Sequence, residues 1–164
     1  MSLCYKISPE LNMILYIGEG YSTPSDFFAL ETAAFLKHRR HLGMITLVDA
    51  LELATSFDLN DIYRFIDNIA RMAKDGMEPG PYIMLTRDGG LHLLADAAQL
   101  LAGKVDLKAR MYHTLEEAVV ALGLSDRKRE VIQLWHECKL EASRTSGNQA
   151  IIREPLREPG MQRP

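Results

Sequence analysis

Cysteine and long apolar runs are scarce in this sequence. Cys4 and Cys138 are its two cysteines, and their spacing matches no metal-binding motif. They form either one disulfide or two buried thiols, and we favour the thiols. The apolar stretches fall far short of the about 18 residues that a membrane helix needs, and residues 1–12 lack the basic and apolar regions of a signal peptide. We therefore expect a cytoplasmic, reduced protein without a membrane span.

A basic face is also missing. The net charge is −3 and the pI is about 5.9, whereas binding to nucleic acid depends on a concentrated positive surface. The glycine motifs of nucleotide-binding folds do not occur. With 47% hydrophobic and 25% charged residues among 164, the composition is that of one globular domain of ordinary size. Because of the acidic net charge, we do not expect nucleic acid as a partner.

The sequence does contain strand-like and helix-like periods in alternation. Apolar runs typical of strands occupy residues 4–8, 13–18, 44–49, 82–86 and 107–113. The first two flank a turn-rich tetrapeptide and predict a β-hairpin. Helix-period runs separate the later strands and follow the last one. This order predicts an α/β domain over residues 1–124, in which helices pack on a central mixed sheet of about five strands.

A separate amphipathic helix is predicted at residues 125–144, followed by a polar, proline-broken tail at 145–164 that we expect to be flexible. The apolar stripe of this helix consists of Val131, Leu134, Trp135, Cys138 and Ala142. The stripe must be buried against something, and exchange of the helix with a second copy of the chain is one solution. For this reason we expect a homodimer.

Two predicted helices carry more apolar residues than one buried face requires. In the first they are Phe27, Phe28, Leu30, Phe35 and Leu36, and in the third they are Leu93, Leu100 and Leu101. Simple extra packing, burial against a second subunit, and enclosure of a lipid-like ligand against the sheet are the three interpretations. We favour packing and keep the ligand as an alternative.

The order of elements resembles the STAS-type fold of anti-sigma-factor antagonists, and more narrowly the bacterial SpoIIAA-like proteins. The resemblance covers about residues 4–124. It is carried by YKISPELN at residues 5–12, TLVD at 46–49 and ARMYHTLEEA at 109–118. It implies the fold described above and a role in binding a protein partner.

In antagonists of this fold, a hydroxyl in an Asp-Ser-Ser-Gly-like turn at the start of the second helix is phosphorylated to break partner binding. The matching stretch here is Asp58-Leu59-Asn60-Asp61, which has the aspartate but neither the hydroxyl nor the glycine. Either Asn60 or Asp61 would imitate a permanent hydroxyl or charge. The nearby Thr55 or Ser56 is either a displaced phosphosite or a loop or cap residue. The resemblance therefore implies a binding module without the usual phosphorylation switch.

A second segment of interest follows the fourth strand. Its two glycines and Arg87 either form an anion-binding helix start or a tight strand-to-helix turn, and we favour the turn. Together with the entrance of the second helix, this segment forms the predicted binding surface. Its residues are Ser56, Asp58, Asn60, Asp61, Thr86, Arg87, Gly89 and Gly90.

Catalytic chemistry has weak support. His92 and His113 are the best titratable candidates because they fall near the carboxyl edge of the predicted sheet, but neither has a partner at metal-ligand or nucleophile–base spacing. Asp49, Glu52 and Asp58 place three carboxylates near one loop without specifying a reaction. We therefore predict a non-enzymatic regulatory or binding module, with no metal and no cofactor, that contacts a protein partner or itself. The alternative is a carrier of an apolar small molecule.

Overall fold

The secondary structure comes from a computed structural model that describes residues 2–38, 43–73, 79–87 and 108–146. Its elements are β1 (Ser2–Ser8), β2 (Met13–Ser22), α1 (Pro24–His38), β3 (Ile45–Thr55), α2 (Leu59–Ala73), β4 (Tyr82–Leu85), β5 (Ala109–Tyr112), α3 (Leu115–Ala121) and α4 (Lys128–Ser146). A 3₁₀ turn at Ser125–Arg127 leads into α4. The predicted third helix and most of the predicted flexible tail lie outside the described residues.

The strands of the described ranges form one five-stranded sheet in the order β1-β2-β3-β4-β5. Strand β1 runs antiparallel to β2, and the remaining neighbours are parallel. The hairpin between β1 and β2 turns at Asn12, which has a left-handed φ of 47° and donates its N–H to the Pro9 carbonyl at 3.0 Å. Strand β5 lies at an edge. The predicted α/β fold class is confirmed.

Helices cover both faces of this sheet because its central strands are apolar on both sides. On one face, α3 and α4 pack over strand residues that include Leu15, Leu47 and Leu85. On the other face, the buried strand residues include Ile14, Tyr16 and Val48, and side chains from α1 and α2 pack against them. Alternate residues of β2 therefore belong to two different cores.

The aromatic residues of α1 take part in the second core. The Phe27 ring centroid lies 5.8 Å from those of Tyr16 and Phe57, and 6.3 Å from that of Phe65. These tilted and edge-on contacts join α1, the sheet and α2. Packing between elements thus accounts for the width of the apolar face at Phe27, whereas residues 93–101 of the predicted third helix lie outside the described part.

Strands β2 and β3 continue past the predicted ends at residues 18 and 49. The ladder between them shifts at a bulge, where the pair Ile17–Asp49 is followed by the pair Glu19–Glu52. Beyond the bulge the residues are more polar and more exposed, so the apolar run ends although the pairing does not. The predicted strand ends were wrong for this reason.

The apolar stripe of α4 is buried on the sheet of its own chain. Val131, Cys138 and Ala142 are fully buried in the same core as Leu15 and Leu47. Ion pairs also join α4 to the sheet: Lys6 Nζ of β1 lies 3.2 Å from Glu137 Oε2 and 3.5 Å from Glu141 Oε2 of α4. The stripe is therefore covered within its own chain, and the homodimer stays a prediction.

The loop before β4 gives a test of this packing. A Cβ on Gly80 would overlap the Met44 carbonyl oxygen and lie 2.7 Å from that of Gly43. Backbone cannot move aside as a flexible side chain can, so we expect Gly80→Ala to lower the free energy of unfolding by about 2 kcal/mol in urea.

Gly123→Ala is the matched control, because its φ is +70° but an added Cβ meets nothing within 4 Å. The strain of the left-handed conformation alone is expected to cost about 1 kcal/mol. A Gly80→Ala protein as stable as the wild type would contradict the close contact between Gly80 and the backbone of Gly43 and Met44.

Candidate functional site

The entrance to α2 is closed by a reciprocal cap of two aspartates. The backbone N–H of Asp61 donates to Asp58 Oδ1 at 2.9 Å, and the N–H of Asp58 donates to Asp61 Oδ2 at 3.1 Å. The arrangement satisfies backbone donors at the helix start and places negative charge at the positive end of the helix dipole. Both predicted site residues therefore have a role in stabilising the helix.

The loop before this cap is anchored by Phe57. Its N–H donates to Thr55 Oγ1 at 3.3 Å, and its ring packs against Phe27. Ser56, in this loop, and Asn60, in the first turn of α2, are exposed. The anchored loop and the capped helix start thus present these two predicted site residues to solvent.

The outer side of α2 also carries two large apolar residues that sequence reasoning missed. Leu59 and Tyr63 are 44% and 47% exposed, and they stand one helical turn apart at the entrance. Charged residues lie next to them in the sequence of the helix, including Arg64, which lies 3.9 Å from Asp61. The sequence contained the signal, an i, i+4 apolar pair on the otherwise polar side of the helix.

Thr86 follows β4 and is held among backbone groups. It is fully buried, its N–H donates to the Tyr112 carbonyl at 3.0 Å, and its own carbonyl lies 3.1 Å from Nδ1 of His113. His113 thereby contacts the β4 end. Arg87 is exposed, while Gly89, Gly90 and His92 lie outside the described residues.

The sheet register separates the two segments of the predicted binding surface, the one that begins at Ser56 and the one that begins at Thr86. The ladder between β3 and β4 ends at the pair Asp49–Leu85, one residue before Thr86. Strand β3 then continues to Thr55, six positions after Asp49, which corresponds to about 20 Å of extended strand. Ser56 therefore leaves the sheet from a strand that extends well beyond the end of β4, and each segment has its own partners.

The three carboxylates predicted near one loop are distributed over different structures. Asp49 is 3% exposed and accepts hydrogen bonds from Trp135 Nε1 at 2.6 Å and from the Leu51 N–H at 3.1 Å. Glu52 pairs with Lys139 of α4 at 3.4 Å, and Asp58 caps α2. The prediction of one carboxylate cluster was wrong, because the bulge directs Asp49 and Glu52 to α4.

Two further observations bear on ligands. Within the described ranges, histidine, cysteine and acidic side chains nowhere gather in threes in a way that would hold a metal ion. In those same ranges, no helix has both the length and the apolar character to cross a membrane.

Comparison with known proteins adds a likeness in fold. No family model and no curated protein matches the sequence. The chain is similar to the crystal structure of an uncharacterised protein of the DUF3478 family, with a SpoIIAA-like fold, from Shewanella loihica PV-4. The match covers 74% of this chain and 92% of that chain, at 14% sequence identity and a TM-score of 0.47. The likeness concerns the fold alone.

The Asp49–Trp135 contact predicts a clear stability effect. Trp135→Phe keeps an aromatic ring but removes the donor to a buried carboxylate, so we expect a loss of about 2–3 kcal/mol in the free energy of unfolding. Asp49→Asn keeps an acceptor for the indole and should cost less. Urea denaturation followed by far-UV circular dichroism measures both.

A double-mutant cycle supplies the control. If the hydrogen bond carries the effect, Trp135→Phe should cost clearly less in an Asp49→Ala background, which has no acceptor for the indole, than in the wild type. Additive losses would contradict this account and assign the cost to packing of the indole.

Proposed function

We propose that the protein is a non-enzymatic binding module and that a protein partner docks on the entrance face of α2. The entrance face consists of Ser56, Leu59, Asn60 and Tyr63. The observation that supports this proposal is the exposure of Leu59 and Tyr63, at 44% and 47%, beside the predicted site residues. Apolar side chains grouped within a polar rim are typical of interaction surfaces, and tyrosine is enriched there.

The rigidity of the entrance face also favours recognition. The Asp58–Asp61 cap fixes the first turn of α2, and the ring of Phe57 anchors the preceding loop to Phe27. Binding to a preformed surface loses less conformational entropy than binding to a segment that must first be ordered. Leu59 and Tyr63 are therefore suited to act as anchors.

A third exposed large apolar residue, Tyr21, lies at this end of the sheet. Tyr21 is 56% exposed near the end of β2 and pairs across the ladder with Ala54, two residues before Ser56. Leu59, Tyr63 and Tyr21 are three of the five large apolar side chains exposed in the described residues. Their placement favours docking at this end of the sheet over the α4 side.

The proposal predicts a partner that contacts position 63. A photoreactive phenylalanine analogue at Tyr63, introduced in the native host, should crosslink one protein, which mass spectrometry identifies. With that protein purified, Leu59→Ser and Tyr63→Ser should each weaken the Kd at least tenfold, since exposed anchor residues dominate interface energy. Isothermal calorimetry measures the affinities.

Val120 provides the matched control, because it is 68% exposed on α3. The analogue at Val120 should give no crosslink to the partner, and Val120→Ser should leave the Kd within twofold. Equal crosslinking at both positions, or full affinity of Tyr63→Ser, would refute the docking site. A crosslink to a second copy of the chain would assign the face to self-association. A lipid-mass adduct in native mass spectrometry, without a crosslinked protein, would favour the carrier.

A further inference from the structure

The two cysteines, 134 residues apart, meet between β1 and α4. Both are free thiols, and Cys138 Sγ lies 3.5 Å from Cys4 Sγ, to which it donates a weak hydrogen bond. A disulfide bond is about 2.05 Å long, so a movement of about 1.5 Å between the sulfurs would close it. Sequence spacing gave no indication of this proximity.

The two thiols differ in access. Cys138 is fully buried in the core below α4, whereas Cys4 is partly exposed on β1, the edge strand of the described sheet. Cys4 also lines a solvent-open groove of about 660 Å³ along that edge, together with Lys6 and Glu141. A small molecule can therefore reach Cys4 from the groove, whereas Cys138 has no exposed surface.

The hydrogen bond between the two thiols also distinguishes Cys4 from Cys138. The hydrogen bond from Cys138 lowers the pKa of the Cys4 thiol from its ordinary value, and Lys6 acts in the same direction, against burial and Glu141, which raise it. The same bond, together with burial, raises the pKa of Cys138. The accessible cysteine is thus the one more readily converted to the nucleophilic thiolate.

We propose that Cys4 and Cys138 form a reversible redox couple, in which a low-molecular-weight disulfide oxidises the two thiols to a bond between β1 and α4. Cys4 is the attacking thiol and Cys138 is the resolving thiol. The site is separate from the entrance face of α2 and does not depend on the proposed function.

The reaction proceeds in two exchanges. The Cys4 thiolate attacks one sulfur of R–S–S–R, which forms a Cys4–S–S–R bond and expels RS⁻, and this takes up the proton that Cys4 lost. Cys138, deprotonated as it attacks, then bonds to the Cys4 sulfur, and the second RS⁻ leaves with the proton of Cys138. In sum, two protein thiols are oxidised and one small disulfide is reduced to two R–SH.

Oxidation would fasten the edge strand to the helix that covers the sheet. In the reduced protein, β1 and α4 are joined on this face by the pairs of Lys6 with Glu137 and Glu141 and by the apolar core. A bond across 134 residues restricts the unfolded chain strongly. We therefore expect the oxidised form to melt about 10 °C above the reduced form.

The full chain equilibrated with glutathione redox buffers tests the couple. Samples are quenched in acid, alkylated under denaturing conditions and weighed by mass spectrometry. As the oxidised glutathione fraction rises, the doubly alkylated chain should give way directly to an unalkylated chain with an internal disulfide. A glutathione adduct on Cys4 as the end product, or full alkylation in oxidised glutathione alone, would overturn the proposal.

Two variants separate the roles of the thiols. Cys138→Ala should stop at the Cys4–glutathione adduct and should show no rise in melting temperature, whereas Cys4→Ala should leave Cys138 unmodified. Modification of Cys138 in Cys4→Ala at the wild-type rate would overturn the assignment of the attacking thiol. Circular dichroism checks that each variant is folded. If a variant does not fold, the wild-type titration with glutathione buffers still decides whether the internal disulfide forms.

Discussion

The central strands β2 and β3 cannot be exposed to water on either face, and the rest of the structure depends on this constraint. Their side chains belong alternately to two cores, so helices must cover both sides of the sheet. Helices α1 and α2 contribute to one cover. The other is supplied in the described residues by α3 and α4, and the buried Val131 and Cys138 show that α4 is part of the domain core.

The sequence predicts features that depend on local patterns and misses those that depend on contacts between distant residues. Periodicity and turn signals are local, and they identified the hairpin and the buried stripe of α4. The capping box of Thr114 and Glu117, visible in the sequence, is present at α3. The bulge after Ile17 escaped detection because pairing continues there without an apolar run. The contact between Asp49 and Trp135, 86 residues apart, depends on how α4 lies on the sheet, which no local pattern encodes.

In the structure, the acidic residues of the candidate site serve to stabilise the fold. Carboxylates that suggested acid–base chemistry have structural partners: Asp49 binds the indole of Trp135, Glu52 pairs with Lys139, and Asp58 caps α2. Beside the cap, the exposed side chains of the entrance face are the apolar Leu59, the phenol of Tyr63, the hydroxyl of Ser56 and the amide of Asn60. Such a surface is suited to recognition by shape and contact, because its polar groups near the backbone are already satisfied. Sequence analysis named Asp58 and Asp61 in this region, and the structure places both in the cap of α2.

The contacts between β1 and α4 follow one direction along both elements. Arg127 donates to the Glu10 carbonyl, Glu137 pairs with Lys6, and Cys138 meets Cys4, so the helix runs back along the first strand. The start of β1 and the end of α4 therefore lie at the same end of the sheet. A domain with this geometry can occupy an insertion point within a longer polypeptide without driving the flanking segments apart. A pull on those two segments would peel the edge strand and α4 away from each other before it strained the parallel strands.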